Sequence, residues 1–276
     1  MYDVVLLTLG GGCGAPRVPV LACADALSAA GARVETVTAE SDADIDAALD
    51  GRRLIVAAAT DGQLRAVVRR LVRRYAPAPS KRPADLPPDR TVPDLPPIGV
   101  LPLDPTANDL AAQLDLPRAP ADVAAAALGE KVRRLDLLRN DGGSVTLDGA
   151  LVGGQESPWH ARVEVDDAVL SDGADPILAC AVGNGAGYAR YDGLPLLTAP
   201  DPADGIVEVA VAVPVLARRA LRRPRVRIEV RRARGRAVAI TPRQQEIGYV
   251  DDGVTATLSH KRSWWVEPGA WAVYVR

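Results

Sequence analysis

Apolar positions change period near residue 131, and the change divides the chain into two patterns. Up to that point, short apolar runs alternate with segments whose apolar residues return every third or fourth position. Val4–Leu9 is a strand candidate broken only by Thr8, and Val18–Ala30 is a helix closed by Gly31. A strand at Arg33–Thr38, a helix at Asp42–Leu49 and a strand at Arg53–Ala59 follow. Gln63–Tyr75 then carries Leu64, Val67, Val68, Leu71 and Val72 on one face and five arginines between Arg65 and Arg74 on the other. Residues 76–97 hold eight prolines and form a loop insertion. Ile98–Leu101 resumes the strands, and Ala107–Leu114 and Asp122–Leu128 read as helices. This β-α alternation predicts a mainly parallel sheet covered by helices.

Strand-like segments dominate afterwards, at Val132–Leu138, Ser144–Leu147, His160–Val165, Pro176–Val182 and Ile206–Val213, then at Arg225–Val230, Ala237–Ile240, Thr255–Leu258 and Ala270–Val275. Glycine and aspartate turns separate many of them, as in an antiparallel sandwich or barrel. The expectation is an α/β domain over residues 1–131, with the Pro-rich loop at 76–97, followed by a mainly antiparallel β-sandwich domain over 132–276. A cleft between domains is the default ligand site.

Composition narrows the chemistry. Basic and acidic residues nearly cancel, 33 against 35, which argues against a broad nucleic-acid surface. Cys13, Cys23 and Cys180 lack disulfide or metal-ligand spacing, and only His160 and His260 are present. Catalysis would therefore rest on carboxylates, backbone groups, Asn or Thr side chains and a supplied metal ion. The start, Met1-Tyr2-Asp3, shows no secretory pattern, and no apolar run reaches the roughly 20 residues of a membrane span, so cytoplasmic residence is the expectation.

Two segments stand where an α/β sheet presents donors to phosphate. Ala58-Ala59-Thr60-Asp61-Gly62-Gln63 and Leu101-Pro102-Leu103-Asp104-Pro105-Thr106-Ala107-Asn108-Asp109 each follow a strand and lead into a helix. Asp61 can orient a phosphate or cap its helix, Gly62 permits a tight turn, and Gln63 can donate one hydrogen bond. Thr106, Asn108 and Asp109 can contact a nucleotide, or Thr106 can cap the helix by accepting the amide of Asp109. The Gly10–Gly14 run lacks the Lys-Ser/Thr end of a Walker loop. The arginine stripe reads as a solvated helix face, or as a contact to anionic lipid or nucleic acid. Trp264-Trp265 beside Lys261-Arg262 reads as strand packing or an interfacial pair.

In order along the chain these segments resemble the diacylglycerol kinase and sphingosine kinase catalytic superfamily. Leu54–Leu64 is similar to that family's strand and Gly-Gly-Asp-Gly-Thr turn, and Ile98–Ala111 to its "GxLPxGTxNDxA" segment. Val182-Gly183-Asn184-Gly185, Asp204–Val209 and Tyr249–Val254 resemble its later Gly-Asn, "DGxLDV" and Asp-Gly-Glu segments.

The resemblance implies ATP and Mg²⁺ as cofactors and a lipid or other hydrophobic hydroxyl compound as acceptor. It also implies transient membrane-surface contact and no nucleic-acid partner, and leaves a homodimer open. Asp61, Gly62, Gln63, Thr106, Asn108 and Asp109 would hold the nucleotide, Asp252 would be the general base, and Asp204 would assist the metal. The departures imply an alternative, an inactive relative that binds a nucleotide or hydrophobic metabolite. Ala59 and Thr60 replace two glycines, Gln63 a threonine, Asp104-Pro105 a glycine, and Val254 the last carboxylate. The family's early Asn-Pro segment is missing. The 150–175 region is shorter and more polar than the segment that helps house a lipid, which predicts a narrower or more open acceptor pocket.

Overall fold

The computed structural model describes residues 2–10, 18–154, 157–217, 225–243 and 246–276. Two compact units account for the chain, one of Met1–Leu135 with Gly269–Arg276 and one of Asp136–Pro268.

In the first unit, β1 (Asp3–Leu9), α1 (Val18–Ala29), β2 (Arg33–Ala39), α2 (Asp42–Ala48), β3 (Arg53–Ala58), α3 (Asp61–Tyr75), β4 (Ile98–Pro102), α4 (Leu110–Gln113) and α5 (Pro120–Leu128) follow in order. The strands lie β2-β1-β3-β4, all parallel, with Val4 opposite Val34 and Arg53, and Leu54 opposite Ile98. Val4, Leu6, Ile55, Ala57 and Leu101 face Val20, Cys23 and Leu27 of α1 and Val123 and Ala127 of α5. The alternate strand residues Val5, Leu7, Leu54 and Val56 are equally buried, as are Leu64, Val67, Val68 and Leu71 of α3. Helices therefore cover both faces, as continuous apolar strands require.

The second unit is entered through β5 (Val132–Asn140). It continues through β6 (Val145–Thr146), β7 (Gly149–Gly153), β8 (Ala161–Val165), β9 (Ala168–Asp172), β10 (Ala179–Gly183), β11 (Arg190–Tyr191), β12 (Leu194–Pro195), β13 (Val207–Ala217), β14 (Arg225–Gly235), β15 (Ala237–Pro242), β16 (Ile247–Asp251), β17 (Val254–Leu258) and β18 (Arg262–Tyr274). One sheet runs β14-β13-β10-β7-β16-β17, antiparallel throughout. Opposite it, β15 pairs with β8 and with residues 262–265 of β18, and β8 with β9. Val152, Cys180, Val182, Val209 and Val211 from the first sheet meet Val163, Val165, Val238, Ile240 and Trp264 from the second in one core. The α/β region followed by an antiparallel sandwich is the architecture expected from the period change.

Gly153 shows how tightly this core is filled. Its backbone lies at φ +75°, and a Cβ there would run into the indole of buried Trp159. Trp264 is fully buried, its ring edge-on to Tyr249 with centroids 6.3 Å apart. Trp265 is half-buried, donates to Glu267 at 3.0 Å and carries the Arg139 guanidinium 5.5 Å from its ring centre. Strand packing therefore accounts for both indoles.

Several local expectations shift. The helix expected over Ala107–Leu114 is the single turn Leu110–Gln113, because Asp104-Pro105 sets a separate turn before it. Strands β7, β9 and β16 were not evident in the pattern, being short and flanked by glycine or charge. The arginine stripe of α3 is partly committed, with Arg69 bound to Asp42 at 2.8 Å and Arg70 to Asp42 and Asp46 of α2. The end of β18 returns to the first unit, where Val273 pairs in parallel with Ile98.

Glu208 on β13 is buried and accepts from the Thr198 amide and hydroxyl at 2.8 and 2.6 Å and from the Ala199 amide at 3.1 Å. Burial alone would raise its carboxyl, but these hydrogen bonds outweigh burial and hold it below the ordinary 4.5. A carboxyl lowered by folding contributes stability that is complete above its unfolded value and disappears as pH falls through the folded one. Urea titrations at stepped pH should show the parent more stable than Glu208→Gln by a constant margin from neutrality to about pH 5, closing below that. At neutral pH, Trp264→Ala should cost about 3–5 kcal/mol by the same measurement.

Candidate functional site

The strand order reverses beside β1: the chain crosses from β1 to β2 on one side and returns to β3 on the other. The exits of β1 and β3 therefore diverge, which opens a crevice at their carboxyl ends. Gln63 spans it. Its side-chain carbonyl accepts the Ala59 amide at 2.7 Å, and its side-chain amide donates to the Leu9 carbonyl at 3.1 Å. A main-chain donor at the exit of β3 is thereby occupied by the protein's own glutamine. Gly10 follows β1, and the rest of the glycine run with Cys13 lies outside the described residues.

Thr60 caps α3 and accepts from Gln63, so Asp61 is the first helical residue rather than the cap. Its carboxylate instead reaches 49 positions along the chain and accepts the Leu110 amide at 3.0 Å. That bond ties the turn after β3 to the turn after β4. Gly62 lies inside the first turn of α3, where its freedom to adopt positive φ is not used.

The second turn closes on itself. Asp104 accepts both the amide and the hydroxyl of Thr106, at 2.9 and 2.6 Å. The Thr106 hydroxyl and amide hold that exposed carboxyl below its ordinary value. Asp109, not Thr106, caps α4 by accepting the Ala112 amide at 2.9 Å. Arg118, absent from the sequence reading, pairs with Asp109 at 3.3 Å and donates to the Asp104 and Ala107 carbonyls. Asn108 is exposed, with no hydrogen-bond partner among the described residues. Thr60, Asp61, Pro102, Asp109 and Ala111 line a recess of about 10 Å³, room for a single water.

In the second unit, Asp252 and Gly253 form the two-residue turn between β16 and β17, with φ of 48° and 77°. Asp-Gly suits that turn because both positions need positive φ. The Asp252 side chain is buried. Its two oxygens accept amides of Leu147 at 2.7 Å, Asp148 at 2.9 Å and Gly149 at 3.2 Å. The Gly253 amide donates to the Tyr188 hydroxyl at 2.7 Å. Burial, with Asp252 and Asp148 nearby, drives that phenol far above its ordinary value, so Tyr188 stays neutral.

Asn184, buried at the exit of β10, donates to the Asp136 and Leu147 carbonyls at 2.9 and 2.7 Å. This network surrounds the residue proposed by resemblance as the base, and only the Gly-Asn pair hinted at it. Val254 is exposed.

Asp204 caps the Ile206 amide at 3.0 Å and pairs with Arg234 at 2.5 Å. Among the described residues, no three acidic, histidine or cysteine side chains converge to share a metal ion. Burial pushes the Cys23 thiol up to about 11 and the Cys180 thiol to about 12, so neither is a nucleophile at neutral pH. His160 and His260 are exposed.

Residues 5–140 match the family model described as the diacylglycerol kinase catalytic domain. The fold is shared with a diacylglycerol kinase from Bacillus anthracis strain Sterne, at 15% identity and TM-score 0.67, covering 100% of this chain and 97% of that one. An NAD kinase from Archaeoglobus fulgidus in complex with ATP is similar at 14% identity and TM-score 0.57, covering 98% and 93%. No curated protein matches the sequence.

The Asp252 carboxylate holds three buried amides, so its loss should register as instability whatever its chemistry. Asp252→Ala is expected to lower unfolding free energy by about 2–4 kcal/mol in urea titration, and Asp252→Asn by less, since one carbonyl oxygen remains.

Proposed function

We propose, from the premise that this chain is a divergent, low-identity relative of the diacylglycerol kinase and NAD kinase catalytic-domain superfamily of lipid and nucleotide kinases, that it binds ATP and transfers its terminal phosphoryl group to a lipid hydroxyl. The nucleotide phosphates would lie at the carboxyl ends of β1, β3 and β4. The observation that carries this is the Asp61–Leu110 hydrogen bond, which joins the two turns bearing the residues of the resemblance into one structure. Around it, Asn108 offers an exposed amide, and the amides of the first turn of α3 add a positive helix end. The Archaeoglobus relative, which has this fold, was solved with ATP.

Each residue then has a physical task. Asn108 donates to phosphate oxygen, Asp61 and Asp109 fix the spacing of the two turns, and Gln63 turns its side-chain amide from the Leu9 carbonyl to phosphate. Thr106, tied to Asp104, shapes the lip. Asp104 is an exposed carboxylate there and would repel a bare triphosphate, so the nucleotide enters as its magnesium complex. Asp204 is committed to Arg234, and the acidic side chains supply no convergent magnesium site, so no step is assigned to a protein-held metal. Asp252 accepts the proton of the attacking lipid hydroxyl, the role its position in the Asp-Gly segment implies.

A second reading, binding without transfer, is favoured by one specific observation. The Asp252 carboxylate already accepts three amides, and Val254 follows where the relatives' motif carries a second carboxylate. Radiolabelled phosphate transfer across a panel of lipid hydroxyl acceptors separates the two. Transfer that falls about 10²-fold or more in Asp252→Asn supports the first reading. ATP binding with no transfer to any acceptor supports the second.

Titration calorimetry with magnesium-ATP tests the shared part. Asn108→Ala should weaken binding several-fold without changing the thermal melt, consistent with loss of one hydrogen bond to a charged group. Gln63→Thr, which releases the Ala59 amide, should not weaken it. Unchanged affinity in a folded Asn108→Ala protein would remove that contact.

A further inference from the structure

A strand at the end of a sheet exposes a row of unpaired main-chain groups, and proteins guard such edges with charge, proline or brevity. Among the described residues the rule holds at every sheet end but one. β2 carries Arg33 and Glu35, and β9 ends in Asp172. β14 carries Arg227, Glu229 and three arginines after them, and β6, β11 and β12 have two residues each. β17, Val254–Leu258, ends its sheet with no charged residue, proline or glycine. Val254, Thr255, Ala256 and Thr257 are all exposed.

The direction of the free groups follows from the turn before the strand. Asp252-Gly253 is a two-residue turn, so Asp251 and Val254 are a bonded pair, and bonded pairs recur at Tyr249–Ala256 and Ile247–Leu258. The Asp252 amide points the other way, to the Gly149 carbonyl at 3.1 Å, which fixes the same phase. The N–H and C=O groups of Thr255 and Thr257 therefore point away from β16, to the open edge. Side chains alternate too. Val254, Ala256 and Leu258 share the core face with Ile247 and Tyr249, yet of the three only Leu258 is covered. The last strand thus leaves four main-chain groups and two apolar core-face side chains open to a partner.

We infer that β17 is a docking edge for β17 of a second copy of this chain, paired antiparallel about a two-fold axis at Ala256. The order Val-Thr-Ala-Thr-Leu places like residues at equal distances from its centre. That register sets Thr255 of each copy against Thr257 of the other. These are the residues whose main-chain groups point outward, and the two pairs satisfy all four groups on each strand. Ala256 meets its own counterpart and Val254 meets Leu258, so apolar side chains face one way and threonines the other, a favourable cross-strand arrangement. A slip of two residues keeps only one threonine position paired, against itself. The contact is isologous and closes at two copies, because the joined sheet then ends on both sides in arginine-bearing β14. A nucleic acid would find no basic residue on β17, and an unrelated extended peptide would make no use of its symmetry. The edge does not depend on nucleotide binding or phosphoryl transfer.

Sedimentation velocity of the full chain over about 1–100 µM reads the pairing, whose small area predicts a dimer that dissociates on dilution. The mass should rise from one 29.0 kDa chain to two. Thr257→Pro removes an edge-facing N–H and no bond to β16, so it should keep the thermal melt and abolish the dimer. Thr255→Lys/Thr257→Lys, which sets like charges opposite one another, should do the same. Disulfide trapping in a Cys13→Ser background reads the register, the remaining Cys23 and Cys180 being buried. Opposed residues of a non-bonded antiparallel pair have Cα atoms about 4.5 Å apart, within disulfide reach, so Ala256→Cys should cross-link two chains under mild oxidation. Thr255→Cys, two positions out of step with its counterpart, should not. A parent that stays monomeric throughout, a dimer that persists in the melt-matched variants, or equal cross-linking by Thr255→Cys and Ala256→Cys would each overturn the inference. If Thr257→Pro fails to fold, the lysine variant and the trapping decide it.

Discussion

Main-chain amides left over where strands and helices begin or end are the constraint on which this molecule is organised. The N–H groups of a helix's first turn and of a strand's end have no partner within their element, and burying them unpaired costs stability. Here carboxylates meet that need repeatedly. Asp61 takes the Leu110 amide, Asp109 that of Ala112, Asp252 three amides before β7, and Asp166 those of Arg236 and Ala237. Acidic side chains that look catalytic in the sequence are thus also the fastenings of the turns they occupy. In the first unit these fastenings bring the turns after β3 and β4 to a common spacing. In the second they fix the hairpin that carries Asp252.

What could be read from the sequence followed the range of the interactions. The parallel strands and their helices were legible because period and glycine stops are local, and α3 was missed by only two residues at its start. The start of α4 was misplaced because the Asp104–Thr106 turn intervenes, a closure made by one side chain rather than by periodicity. The Asp61 bond to Leu110 spans 49 positions and the Asp252 bonds more than a hundred, so no local pattern could announce either. Arg118 was hidden for the same reason, being one arginine among thirty. Buried Trp264 and half-buried Trp265 look alike as a dipeptide, and only the sandwich distinguishes them.

Gln63 places the departures from the relatives' motifs in a physical frame. A threonine at that position is too short to reach from the exit of β3 to Leu9, whereas glutamine bridges the crevice with both ends of its amide satisfied. Ala59 and Thr60, standing where the motif has glycines, add side chains beside the same donor, and Thr60 gains a capping role in return. The substitutions therefore form a set: they trade an open, glycine-lined turn for one that is already hydrogen-bonded. The result is a crevice in which a main-chain donor at the exit of β3 is already taken by a side chain of the same helix that follows it.

The return of β18 to Ile98 has a consequence for biosynthesis. Strands β1 to β4 are complete by residue 102, yet the open side of β4 is filled by Val273 near the far end of the chain. During translation the first unit must wait through the synthesis of the entire second unit before its sheet can close. Until then the flank of β4, with Ile98, Val100 and Leu101, stands as an exposed apolar edge of the kind that invites wrong pairing. A chain cut short between residues 268 and 273 would hold every residue of the second unit and still lack the strand that closes the first.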